Sequence, residues 1–228
     1  MKDNYIKIYS HPRSGTHFLE AFLAKNFYSN HELSSEGSIY FGHWSNKILL
    51  ENGEPYHKLF GSHFFPSQVQ ISSKPIYIYR DGRAVIASLW NSKFYQKDWL
   101  GISFSEFLRR EIDWYGGTGQ KSEPKMNIIQ HWYNHVESWL LNEEIFSLRF
   151  EELKNNPQQI YSKISKEYFP LKYYKAKLFG INNLDPIHNK VGLKPNSTKI
   201  NSWKKLFSEE DLNFFYSQIP NQKYLYSD

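Results

Sequence analysis

The sequence predicts an α/β fold. Three observations carry this. Short apolar, strand-like runs are each followed by a stretch with helical periodicity. The length, 228 residues, suits one domain with a sizeable core. No internal repeat and no low-complexity stretch marks a linker, so a single domain over residues 1–228 is expected.

The elements follow in order. Residues 5–9 (YIKIY) read as a short strand, which runs through residues 11–16 (HPRSGT) into a helix from residue 17 to about residue 27. In that helix Phe18, Leu19, Phe22 and Leu23 recur at helical spacing. A polar stretch over residues 29–55 follows, and residues 58–62 suit a second short strand. Residues 75–79 (PIYIY) form the clearest buried strand; Asp81 and Gly82 break it, and a helix follows over residues 83–90. Residues 103–114 read as a helix, with Ser103 as N-cap and Glu106 as its capping-box partner. Gly116, Gly117 and Gly119 make a loop, after which residues 126–141 form a long helix with Ile129, Trp132, Val136 and Trp139 on one face. Residues 145–150 (IFSLRF) read as a strand, and Asn156 with Pro157 starts another helix. The chain after residue 182 is loop-rich until Ser208, which caps a last helix carrying Glu209, Glu210 and Asp211 in its first turn.

Composition narrows the chemistry. The chain has no cysteine, which excludes a disulfide framework, a thiolate metal site and a cysteine nucleophile. A formal charge of +5 and a sequence pI near 9.1 favour anionic partners. The basic residues are scattered, the densest groups being Lys172, Lys175 and Lys177, then Lys204 and Lys205, so a nucleic-acid tail is not expected. The first ten residues hold no apolar signal-peptide region, and no window reaches the ~20 apolar residues of a membrane span. The expectation is a soluble, cytoplasmic protein with neither a nucleic-acid nor a membrane partner. Seven Trp, 17 Tyr and 17 Phe make 18% of the chain aromatic, enough to fill a core and to line an apolar pocket.

Two segments carry the chemistry of anion binding. Between the first strand and helix, Arg13, Ser14, Gly15 and Thr16 place a charge, two hydroxyls and a glycine at a helix N-terminus. Unpaired N–H groups and the helix dipole favour an anion there, and the glycine lets the backbone approach it closely. The segment is not a Walker A loop, since its first glycine and its Gly-Lys pair are missing. In the second segment, Arg80 ends a strand and Ser88 lies eight residues on, in the following helix. An arginine so placed makes bidentate contact with a phosphate.

Together the two segments resemble those of the sulfotransferases that use 3′-phosphoadenosine-5′-phosphosulfate (PAPS). HPRSGTHF is similar to their 5′-phosphosulfate loop, usually Y-P-K-S-G-T-T-W, and YRDGRAVIAS to their 3′-phosphate motif. GSHFFP resembles their Thr-His-Leu-Pro segment, LRFEEL their Y-E-D-L/M strand end, and SWKKLFSEEDL their Trp-containing C-terminal segment. The five matches keep the family's order over residues 5–215. The resemblance implies a P-loop NTPase-like α/β fold, a central parallel β-sheet flanked by α-helices.

It also implies roles. Arg13, in the family's lysine position, would hold the bridging or 5′-phosphate oxygens, and Ser14, Gly15, Thr16 and His17 would donate to the 5′-phosphate. Phe18, in the family's Trp position, would stack near the adenine, with Phe150 also near it. Arg80 and Ser88 would bind the 3′-phosphate, and His63 would be the general base. Gly61 stands where cytosolic members often carry a lysine, and the family's C-terminal Arg-Lys-Gly reads Asn196-Ser197-Thr198. The resemblance then implies that Lys194 or Lys199 would supply the substitute contact to the 3′-phosphate.

The implied reaction is in-line sulfuryl transfer from PAPS to a hydroxyl or amine of a small-molecule acceptor, a secondary metabolite, with His63 taking the proton and no metal required. Residues 29–57 and 92–125 are expected to line the acceptor pocket, with the glycine loop at residues 116–119 over it. His131 and His135 stand at a spacing that metal ligands use, but without a third ligand they read as structural. The competing readings are a P-loop-type small-molecule or nucleotide kinase, which lacks its Gly-Lys, and a non-catalytic anion or nucleic-acid binder.

Overall fold

The structure, a computed structural model, describes residues 6–27, 60–69, 71, 74–92, 100–112, 125–182, 184 and 201–226. In chain order its elements are β1 Lys7–Tyr9, α1 Thr16–Phe27, β2 Phe60–Ser62, β3 Ile76–Tyr79, α2 Gly82–Trp90, α3 Phe104–Arg109, β4 Glu111–Ile112, β5 Met126–Asn127, α4 Ile128–Leu140, β6 Phe146–Arg149, α5 Phe150–Asn155, α6 Pro157–Tyr168, α7 Pro170–Phe179 and α8 Glu209–Ser217. Lys194, Lys199, the loop at residues 116–119, all of residues 29–57 and most of residues 92–125 lie outside the described residues.

A four-stranded sheet in the order β2-β1-β3-β6 forms the centre, and every neighbouring pair in it is parallel. The register sets Ile8 beside Gly61 and Ile76, and Tyr79 beside Arg149. Side chains alternate across the pleat. On one face Ile8, Ile76, Ile78 and Leu148 pack with Leu19 and Phe22 of α1 and with Ile160 and Ile164 of α6. On the other, Tyr9 and Tyr77 stack on Trp139 of α4, with ring centroids 4.5 and 5.4 Å apart. Beside them α2, α3, α4 and α8 share a core containing Val85, Phe107, Trp132, Val136 and Phe215. Burying one such side chain is worth roughly 1.5–3 kcal/mol, so both faces are covered, as an all-parallel sheet requires.

Side chains punctuate the helices. Asp81 caps α2 by accepting from the Arg83 amide at 2.8 Å. Asn127 and Gln130 form a reciprocal capping box at α4, and the Ser208 hydroxyl accepts from the Asp211 amide at α8. Each cap contributes about 1 kcal/mol.

One expected helix is shorter than its sequence suggests. Ser103 caps α3, but the helix ends at Arg109, and Glu111 and Ile112 pair antiparallel with Asn127 and Met126. The same ribbon delays the start of α4 to Ile128. Near the C-terminus, the Tyr226 amide donates to Asp81 at 2.9 Å, and Arg149 donates to the Tyr224 carbonyl at 3.1 Å. These bonds pin the last described residues against the start of α2.

Candidate active site

The carboxyl ends of all four parallel strands open on one edge, and each delivers a residue singled out from the sequence. The loop with Arg13 and Ser14 follows β1, His63 follows β2, Arg80 follows β3 and Phe150 follows β6. Chain order reverses between β1 and β3, where α/β sheets place their ligands.

The loop after β1 is held by its neighbours. Arg13 has φ 68, in the left-handed region that a non-glycine residue rarely occupies. Its Nε donates to the Ser88 hydroxyl at 3.0 Å, and Arg80 Nη1 donates to the Arg13 carbonyl at 3.4 Å. The two segments predicted to bind opposite ends of a nucleotide are therefore bonded to each other, through residues 75 and 67 positions apart. Gly15 has φ +97, and a Cβ placed there would lie 2.3 Å from Cδ2 of Phe150. The Phe150 ring thus forms the floor of the loop. Phe18 meets it edge to face at 5.5 Å, and the Arg80 guanidinium lies 4.7 Å from its centroid. Phe18 and Phe150 are both buried.

His63 is buried, and its Nδ1 donates to the Ser10 carbonyl at 2.7 Å. That bond selects the tautomer whose basic nitrogen is Nε2. Burial holds the pKa of His63 well below the ordinary histidine value, against the bond to Ser10, which raises it. The ring is therefore neutral at neutral pH, as a proton acceptor must be. The Ser10 hydroxyl joins Thr16 Oγ1 at 2.6 Å, tying the end of β1 to the start of α1.

Among the described residues, the buried polar atoms at this edge without a hydrogen-bond partner are the carboxylate oxygen Glu151 Oε2 and a pair of donors, Ser14 Oγ and Arg80 Nε. Buried polar groups are nearly always satisfied, so this pair marks a place where an anion fits. Burial lowers the pKa of Arg80, Glu151 and Asp81 oppose that shift, and the like charge of Arg13 adds to it. An anion between the two guanidiniums would relieve their repulsion.

Sequence reasoning missed the layer behind these residues. His11 Nδ1 donates to the Pro12 carbonyl at 3.0 Å, and His131 Nδ1 donates to His11 Nε2, also at 3.0 Å. His135 Nε2 donates to the His63 carbonyl at 3.2 Å, and its Nδ1 accepts from the Tyr77 hydroxyl at 2.8 Å. His131 and His135, four apart on α4, thus brace the first two loops of the site. The indoles of the same helix continue the pattern, Trp132 donating to the Arg80 carbonyl at 3.2 Å and Trp139 to the Phe64 carbonyl at 3.0 Å. Gly82 packs directly on Trp132, whose ring would lie 2.6 Å from an added Cβ. The helical spacing of these four α4 residues was visible in the sequence, but their partners were not. Glu20 was also missed. It is buried, its Oε2 accepts from His17 Nδ1 at 2.9 Å, and burial raises its pKa. No group of three or more His, Asp or Glu among the described residues is placed to hold a metal ion.

The sulfotransferase domain family model matches residues 3–166. No curated protein matches the chain by sequence. Among solved structures, mouse sulfotransferase SULT7A1 complexed with PAP aligns with a TM-score of 0.54 at 17% identity, over 96% of this chain and 84% of that one. Retinol dehydratase in complex with retinol and PAP aligns with a TM-score of 0.54 at 16% identity, over 100% of this chain and 84% of that one. The same enzyme with androsterone and inactive cofactor PAP gives 0.54 at 15%, over 100% and 83%. These likenesses are of fold.

Proposed function

The chain belongs to the sulfotransferase domain family of PAPS-dependent enzymes, and from that premise we propose that it transfers the sulfuryl group of PAPS to a hydroxyl or amine of a small-molecule acceptor. One observation carries the reading to these residues. The strand ends gather Arg13, Ser14, His63, Arg80 and Ser88 at one edge, with two buried donors there unsatisfied.

PAPS supplies an activated sulfuryl group when bound. The helix N-terminus with Ser14, Thr16 and His17 holds its 5′-phosphate, and Arg80 and Ser88 hold its 3′-phosphate. Phe18 and Phe150 support the loop on the adenine side, and Lys194 or Lys199 completes the 3′ contact. The acceptor O–H or N–H gives its proton to His63 Nε2 as its lone pair forms the new bond to sulfur. The bond from sulfur to the 5′-phosphate oxygen breaks, and the electron pair leaves with that oxygen. Arg13 and the amides of α1 stabilise the charge left there. The Ser10 carbonyl, accepting from Nδ1–H, stabilises the imidazolium.

The acceptor is read as a small metabolite. Retinol dehydratase holds retinol and androsterone in its solved complexes, and an apolar acceptor suits a chain that is 18% aromatic. A cytoplasmic setting goes with that reading.

Thermal-shift titration tests the proposal. Adenosine 3′,5′-bisphosphate is expected to raise Tm without added metal, and a response to ATP–Mg²⁺ alone would replace transfer from PAPS with a kinase reading. His63→Ala is expected to lose ~10²–10⁴-fold in turnover while keeping the bisphosphate shift. Because burial depresses the His63 pKa, the acid limb of kcat/KM is expected below the ordinary histidine value of ~6.5. Wild-type turnover in His63→Ala removes His63 as the base.

A further inference from the structure

Helix α7 inverts the usual arrangement of a globular helix. Leu171, Tyr174, Leu178 and Phe179 are 88, 61, 76 and 70% exposed. The side turned toward the protein carries Lys172, Tyr173 and Ala176, all only partly buried, and no residue of α7 is fully buried. At helical spacing Leu171, Tyr174 and Leu178 fall on one stripe. Lys175 borders the stripe on one flank and Lys177 on the other, and the helix has no acidic residue. The helix is nevertheless fixed in place. Phe169, just before it, stacks on Phe27 at 4.7 Å, and Lys172 donates to the Asn26 carbonyl at 3.4 Å.

A contiguous apolar patch on a globular surface marks an interaction site, and the lysines select the occupant. Pairing of the stripe with a second copy would bring the flanking lysines of both copies together, a repulsive arrangement. An anionic surface satisfies both features, because an interfacial helix buries its apolar face at the headgroup boundary while lysines on its flanks attract anionic lipid. The overall charge of +5 has the same sign. The segment also follows the residues that match the family domain, 3–166. The expectation of no membrane partner rested on the lack of a spanning segment, and a helix lying in the surface plane needs none.

We propose that α7 docks the protein on an anionic lipid surface, with Leu171, Tyr174 and Leu178 seated at the headgroup boundary and Lys175 and Lys177 against the lipid charges. The contacts to Asn26 and Phe27 put α7 at the C-terminal end of α1, a helix of 12 residues and so about 18 Å long. The loop with Arg13 and Ser14 lies at the opposite end.

Co-sedimentation of the full chain with phosphatidylcholine vesicles, with and without phosphatidylserine, tests this. Binding is expected to the mixed vesicles, to weaken with added salt, and to weaken by roughly 5-fold for each of Lys175→Gln and Lys177→Gln. Leu171→Asn with Leu178→Asn is expected to abolish binding and leave Tm unchanged, because both side chains face water in the free protein. Failure to bind the mixed vesicles overturns the proposal, as does equal binding to pure phosphatidylcholine. Concentration-dependent dimerisation that the Leu171→Asn and Leu178→Asn pair removes would assign the face to a second copy instead.

Discussion

Gly15 is the residue on which the anion loop turns. Its φ of +97 excludes most side chains, and Phe150 fills the space a Cβ would need. Gly15→Ala is expected to destabilise the fold by about 1–3 kcal/mol and to weaken the bisphosphate-induced shift, because the ring beneath the loop must move. An unchanged melting curve would show that the loop does not rest on Phe150. At this scale the sequence was informative wherever chemistry is local. Arg13, Gly15 and Thr16 stand together on the chain, so the pattern showed at once. Arg80 and Ser88 showed through a short, fixed spacing. The bond between His11 and His131 spans 120 positions and leaves no local trace. Nor does the φ of 68 at Arg13, since arginine has no intrinsic preference for that conformation.

Helix α4 sets the geometry of the site without contributing a reacting group. Trp132 holds the carbonyl of Arg80, Trp139 that of Phe64, and His135 that of His63. Trp132→Phe keeps most of the ring volume and removes the bond to Arg80. The expected loss is about 1 kcal/mol of stability together with weaker binding of the bisphosphate, read by calorimetry. If Tm falls but affinity does not, Trp132 is only a core residue. Strands and helices with a strong period were legible: residues 75–79 and the apolar face of α4 needed no tertiary information. The end of α3 was not, because the pairing of Glu111 and Ile112 with Asn127 and Met126 competes with helix extension. Only the folded chain brings those strands together.

Across the molecule, buried histidines give the fold an acid limit. Burial lowers the pKa of His11 to about 3 and holds His63, His131 and His135 well below the usual value. In the unfolded chain these groups take protons near pH 6.5, so below that pH the unfolded state binds more protons. Stability then falls by about 1.4 kcal/mol per pH unit for each histidine. Glu20 and Glu151 act in the opposite sense, since burial raises their pKa and the folded state keeps their protons. Four imidazoles against two carboxyls leave a net loss. The melting temperature is expected to drop by more than about 5 °C between about pH 7.5 and about pH 5.5, and a constant or rising value would show that these rings accept protons in place. The α/β class was legible from alternating strands and helices, but the order β2-β1-β3-β6 was not, because spacing along the chain does not say on which side of β1 a later strand lands. That order has a kinetic consequence. Every pairing in the sheet joins residues more than fifty positions apart, as Lys7 with Phe60, Ile8 with Ile76 and Ile76 with Phe146 show. No hairpin nucleates this sheet. Each strand must close a long loop before any ladder bond forms, which places refolding among the slow, non-local topologies and leaves strand edges open to neighbouring chains while the molecule assembles.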